Sequence, residues 1–142
     1  MKIWSNDFED GGEIPEKFSC NGEGVRPNLN WSEVPAGAKS LAISLVDPDA
    51  PSGNFVHWIV AGIPISTSGI ESSEEIAGEL PNTSGKTAYV PPCPPSGKHR
   101  YVFTLYALDI DQLDQTSSDN FFDAIKPYII DQATLTGLYG QS

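Results

Sequence analysis

Proline and glycine interrupt this chain so often that long helices have almost nowhere to form. Twelve prolines and thirteen glycines fall among 142 residues, about 18% of the chain against a usual ~12%. Proline removes a backbone donor and fixes φ, while glycine escapes the steric limits that hold other residues in regular structure. The expectation is a mainly β protein of short strands joined by structured turns. The length suits one domain over residues 1–142, burying roughly two-thirds of its unfolded surface. Neither an internal repeat nor a linker marks a boundary.

Three segments read clearly as strands. Lys39 to Val46 is apolar at nearly every position, as a strand covered on both faces would be. Val56 to Ile63 is similar, and Tyr101 to Leu108 is rich in aromatic and branched residues. Weaker strands are expected at Ile3 to Phe8, Asn28 to Trp31 and Lys86 to Val90, with Ala133 to Tyr139 returning as another. Asp119 to Lys126 is the best helix, with Phe121, Phe122 and Ile125 at helical spacing, Ser117 or Ser118 to cap it and Pro127 to end it. A helical turn is expected around Ser72 to Ala77. Together these give two packed antiparallel sheets with a late helix against one edge.

Nineteen acidic against eight basic side chains leave a formal net charge of −11, which works against nucleic acid or an anionic membrane as partner. No apolar run approaches the ~18 residues of a membrane span, and the first seven residues contain no apolar signal core. A cytoplasmic protein without integral membrane association is expected. Cys20 and Cys93 are too few for a disulfide framework and read as two separate thiols.

The carboxylates are unevenly placed. None lies between Glu79 and Asp109, a window that holds Lys86, Lys98, His99 and Arg100. Such a window is either a strand with little room for charge or a locally positive anion site on a negative protein. Within it, alternation along a strand puts His99 and Tyr101 on one face and Arg100 on the other. The preceding Pro91-Pro92-Cys93-Pro94-Pro95-Ser96-Gly97 cannot join a central ladder; it is a rigid loop whose remaining amides offer a cradle for a small anion. The other histidine, His57, follows Asp47-Pro48-Asp49 and a Pro51-Ser52-Gly53 turn. Folding that turn back would bring Asp47 toward His57, and Asp49 is the candidate partner of Arg100 in a structural ion pair.

Taken together, DPDAPSGNFVHW (Asp47 to Trp58) and PPCPPSGKHRYVFTLYALD (Pro91 to Asp109) resemble the phosphatidylethanolamine-binding protein family, also called Raf kinase inhibitor-like proteins, in its bacterial and archaeal branch. CNGEGVRPNLNW (Cys20 to Trp31), VPAGAKSLAISLVDPDAP (Val34 to Pro51) and LTGLYG (Leu135 to Gly140) extend the likeness over nearly the whole chain. The resemblance implies a β-sandwich of antiparallel sheets with a short C-terminal helix and a small pocket for phosphate-like or carboxylate anions. Carried over, Asp47, His57, His99 and Tyr101 would form the ligand set, Cys93 (through its backbone) and Pro94 the pocket rim, and Pro51 the opposite side. Pro91 stands where prokaryotic members usually have glycine, so the anion pocket carries over more securely than the phospholipid of the family name.

This implies binding without turnover and without a cofactor: the histidines and tyrosine donate to anion oxygens, and Asp47 orients one imidazole. A protein kinase or protease is the protein partner the resemblance allows, and a homodimer the assembly. The main alternative is a metal enzyme with His57, His99 and Asp47 as ligands. A hydrolase is weaker: there is no Gly-x-Ser-x-Gly elbow, and Cys93 beside His99 is its only thiol–histidine arrangement.

Overall fold

The computed structural model describes residues 1–72, 74–113 and 117–140. Its elements in chain order are β1 (Lys2–Trp4), β2 (Leu29–Ser32), β3 (Ser40–Asp47), β4 (Phe55–Ile63), β5 (Gly69–Ile70), β6 (Glu79–Leu80), β7 (Lys98–Leu108), α1 (Phe121–Ile125) and β8 (Ile129–Gly140). They form two antiparallel sheets, β1-β2-β5 and β6-β4-β3-β7-β8. The expected β-sandwich with one short late helix is the fold that the chain adopts.

The large sheet is covered on both faces, which explains why β3, β4 and β7 are apolar at nearly every position. One face packs Leu41, Ile43, Leu45, Trp58, Phe103 and Leu105 against Leu29, Trp31 and Ile70 of the small sheet. The other packs Ala42, Val56, Ile59, Tyr106 and Leu108 against Phe121 and Ile125 of α1. Those two helix residues lie four apart and so share one face. The helix is shorter than expected. Among the described residues no side chain caps its start, and at Lys126 the chain tightens into a 3₁₀ turn through Pro127, which cannot continue the α-helical bonding.

Four local expectations need correction. The first strand ends at Trp4, because Ser5 Oγ accepts the Asp7 amide and turns the chain. Lys86 to Val90 is not a strand. The buried Asn82 organises this stretch instead: its carbonyl oxygen accepts the Ser84 and Lys86 amides, and its amide donates to the carbonyls of Ala88 and His57. Residues 72 and 74–77 are not helical, and Ser73 lies outside the described residues. Finally, Cys20 and Cys93 are not separate thiols but a disulfide, with Cα atoms 5.4 Å apart. A 3₁₀ turn at Glu16–Phe18 folds the chain so that the Cys20 amide reaches the Pro92 carbonyl at 3.0 Å, beside Cys93. Among the described residues no helix is long and apolar enough to cross a membrane.

Candidate functional site

The pocket follows from the register of three adjacent strands. β3 ends at Asp47, opposite Phe55 at the start of β4, and β7 begins beside that same end of β3. Two loops rise there: residues 48–54 between β3 and β4, and residues 81–97 leading into β7. Leu45 pairs with Trp58 and Val46 with Val56, so His57 is the extra residue of a β-bulge. Bulges re-aim side chains, and this one frees His57 from strict alternation.

The bulged histidine is tied to the second loop at two points. The Val90 amide donates to the His57 carbonyl at 3.1 Å, and His57 Nδ1 donates to the Val90 carbonyl at 2.7 Å. Across the cavity, His99 Nδ1 donates to Asp47 Oδ2 at 2.7 Å, while Asp47 Oδ1 accepts the Asp49 amide at 2.8 Å. Asp47 therefore orients His99, not His57, contrary to the hairpin expectation. Both rings are buried, at 6% and 7% exposure. Burial pushes the His57 pKa down, and the smaller pulls of the Val90 carbonyl and the Asp47 charge oppose it.

Tyr101 is fully buried, and its hydroxyl has no partner among the described residues. Its ring meets His57 edge-on at 5.4 Å and stacks beside His99 at 6.4 Å. Burial, then the negative charge of Asp47, pushes its pKa upward, so the phenol stays protonated. All seven residues expected in a ligand site, namely Asp47, Pro51, His57, Cys93, Pro94, His99 and Tyr101, line one cavity of about 190 Å³. Ala50, Phe55, Val90, Pro91 and Pro95 complete the lining. Phe55 lies two residues before His57 and its ring packs against the imidazole at 4.8 Å. The role of Val90 has no side-chain signal, since it acts through its carbonyl.

Three consecutive residues of the carboxylate-free window each receive a carboxylate from elsewhere in the chain: Lys98 from Glu13, His99 from Asp47 and Arg100 from Asp49. The Asp49–Arg100 pair is bidentate, at 2.8 and 3.0 Å, with the Arg100 amide adding a third bond at 2.9 Å. This is the expected ion pair, but it lies on the exposed face of β7, where Arg100 holds the Asp49 pKa down at about 2.

Both oxygens of Asp47 are already engaged, while each histidine keeps one ring nitrogen outside these bonds. Among the described residues no group of three or more His, Cys, Asp or Glu could hold a metal ion. The Cys93 sulfur is bonded to Cys20, which removes the thiol–histidine pair.

Known proteins share this architecture. A family profile described as "Phosphatidylethanolamine-binding protein" matches residues 4–140. The "UPF0098 protein" of Methanothermobacter thermautotrophicus is 42% identical, over 98% of both chains. The crystal structure of a phosphatidylethanolamine-binding protein homolog from Chlamydia trachomatis superposes with a TM-score of 0.92 at 38% identity, covering 99% of this chain and 97% of that one. YbcL of E. coli, described as a member of the mammalian family, gives 0.91 at 26% identity, covering 99% and 98%.

Proposed function

The chain belongs to the phosphatidylethanolamine-binding protein family, and from that premise we propose that it binds small phosphate-like or carboxylate anions without turning them over. The Tyr101 hydroxyl carries this reading. A fully buried donor without a partner costs about 1–3 kcal/mol, and an anion oxygen in the cavity would satisfy it. His57 and His99 flank that position, each with Nδ1 engaged and Nε2 left for a ligand. The apolar remainder of the wall, Phe55 with Pro51, Pro94 and Pro95, suits a small substituent on the anion.

Calorimetric titration with methyl phosphate tests the reading. Affinity should rise as pH falls from 8 to 6, and Tyr101→Phe should weaken binding by about tenfold or more, the worth of a hydrogen bond to a charged group. Flat affinity over that range, or no loss in the variant, would remove the proposal.

The pocket rim is open to a phosphorylated or acidic segment of a protein, which is how a kinase or protease would be recognised. Partners retained by the wild type and lost by His99→Ala support docking through the pocket, and unchanged partners place it elsewhere. Self-pairing rests on kinship alone and is read by sedimentation velocity. Cytoplasmic residence sits against the Cys20–Cys93 bond, because cytosolic thiols are kept reduced outside hyperthermophiles.

A further inference from the structure

The hydrogen atoms of the two imidazoles can be assigned from their partners, and the assignment limits what the pocket can hold. A carbonyl only accepts, so the 2.7 Å contact with Val90 fixes the His57 proton on Nδ1. The other nitrogen, Nε2, then presents a lone pair. The same logic at Asp47 places a proton on His99 Nδ1, and His99 Nε2 donates only when the ring carries its second proton. Among the described residues no lysine or arginine lines the cavity, and the neighbouring Arg100 is committed to Asp49 on the outer face of β7. The chamber thus combines a donor, the Tyr101 hydroxyl, with an acceptor, His57 Nε2, for as long as burial holds that ring at a single proton. A bare oxyanion facing that acceptor would meet lone pair against lone pair.

We propose that the pocket selects oxyanions that bring their own hydrogen, of the class of monoprotonated phosphomonoesters: His57 Nε2 accepts from the P–O–H group while Tyr101 donates to an unprotonated oxygen. This rests on the anion reading above and narrows it. Phosphomonoesters keep one ionisable proton up to a pKa of about 6. Sulfate esters and phosphodiesters, the phosphate of an intact phospholipid among them, have none. Asp47, His99 and Tyr101 are the titratable groups sharing the cavity with His57; Asp47 is negative, and burial works against a second proton on His57. Selection therefore depends on the ligand keeping its own proton, and the preference fades as pH rises above about 6.

Methyl phosphate and methyl sulfate provide the decisive pair, since as monoanions they share charge and closely similar shape and only the phosphate carries an acidic hydrogen. In an oxyanion-free buffer at pH 6, methyl phosphate should bind at least tenfold more tightly than methyl sulfate or dimethyl phosphate. Equal affinities would overturn the selectivity and leave the anion pocket standing. Tight dimethyl phosphate with weak methyl sulfate would also overturn it, in favour of diester recognition. Binding of none of the three would remove the anion reading itself, and the selectivity with it. Independently of any ligand, ¹⁵N chemical shifts of the imidazoles at pH 7.5 should show His57 protonated on Nδ1; a proton on Nε2 overturns the proposal. His57→Gln supplies an amide that can turn its N–H₂ inward, so the methyl phosphate to methyl sulfate ratio should fall toward one.

Discussion

The two walls of the pocket are built from different materials. The wall between β3 and β4 is held by charge and a turn: Asp47 caps the Asp49 amide, Asp49 clasps Arg100, and the Gly53 amide closes on the Ala50 carbonyl at 3.0 Å. Most of it is exposed. The wall leading into β7 is held by backbone and covalent ties. Five prolines stiffen it, Asn82 gathers its base, Val90 docks on the bulged His57, and Cys93 is bonded to Cys20. One histidine is set by each wall, His99 by Asp47 and His57 by Val90. Only the second wall should answer to reductant, and the two should answer to protons in different pH windows, so the two halves of one pocket can be loosened separately.

The largest effect should come from cutting the covalent tie. Replacing both cysteines by serine releases a closure spanning 73 residues and should cost roughly 4 kcal/mol on the chain-entropy account. The loss would be read as a lower urea midpoint, with the Asp47–His99 bond still visible by NMR. Next is His99→Leu, which leaves the 4%-exposed Asp47 without its partner. Breaking a buried pair from one side costs about 3 kcal/mol or more, and here reductant should add the further cost of the disulfide.

Acid should separate the walls by pH window. His57 has a folded pKa below its ordinary 6.5, so the unfolded chain takes up the proton first. Its contribution is complete above pH 6.5 and is lost as pH falls through the lowered value. Asp49, held at about 2 against 3.8, gives a contribution present above pH 3.8 and lost only as pH falls through 2. Thermal melts from pH 7 to 3 should show the first decline, and His57→Gln should remove it. The smallest effect is expected from Arg100→Ala. That exposed pair is screened by water and salt, and the melting temperature at pH 7 should stay within the scatter of replicates. A drop comparable to His99→Leu would mean that the first wall depends on its outer face.

The legibility of these features follows the same division. β3, β4 and β7 announce themselves because sandwiching between the small sheet and α1 leaves no face for polar residues. β8 is longer than its pattern suggests, reaching back to Ile129. It forms one edge of the large sheet, and its alternation is blurred because few of its residues are fully buried. His99, Tyr101 and the Asp49–Arg100 pair were readable from alternation and charge. The disulfide was not, since two cysteines 73 residues apart leave no local mark. Nor was the partner of His57, because a backbone carbonyl looks the same at every residue. The carboxylate-free window overstates its positive charge for a physical reason: sequence counts the cations within a segment, whereas folding brings Glu13, Asp47 and Asp49 to three of its residues from elsewhere.

The bond between Cys20 and Cys93 also makes the middle of the chain a closed ring, which contains β2 to β6 and with them Asp47 and His57. A protease that nicked the exposed turn at Pro51–Asn54 would open that ring without releasing a fragment. The cut molecule would keep its mass, plus one water, and would part into two polypeptides only when reduced.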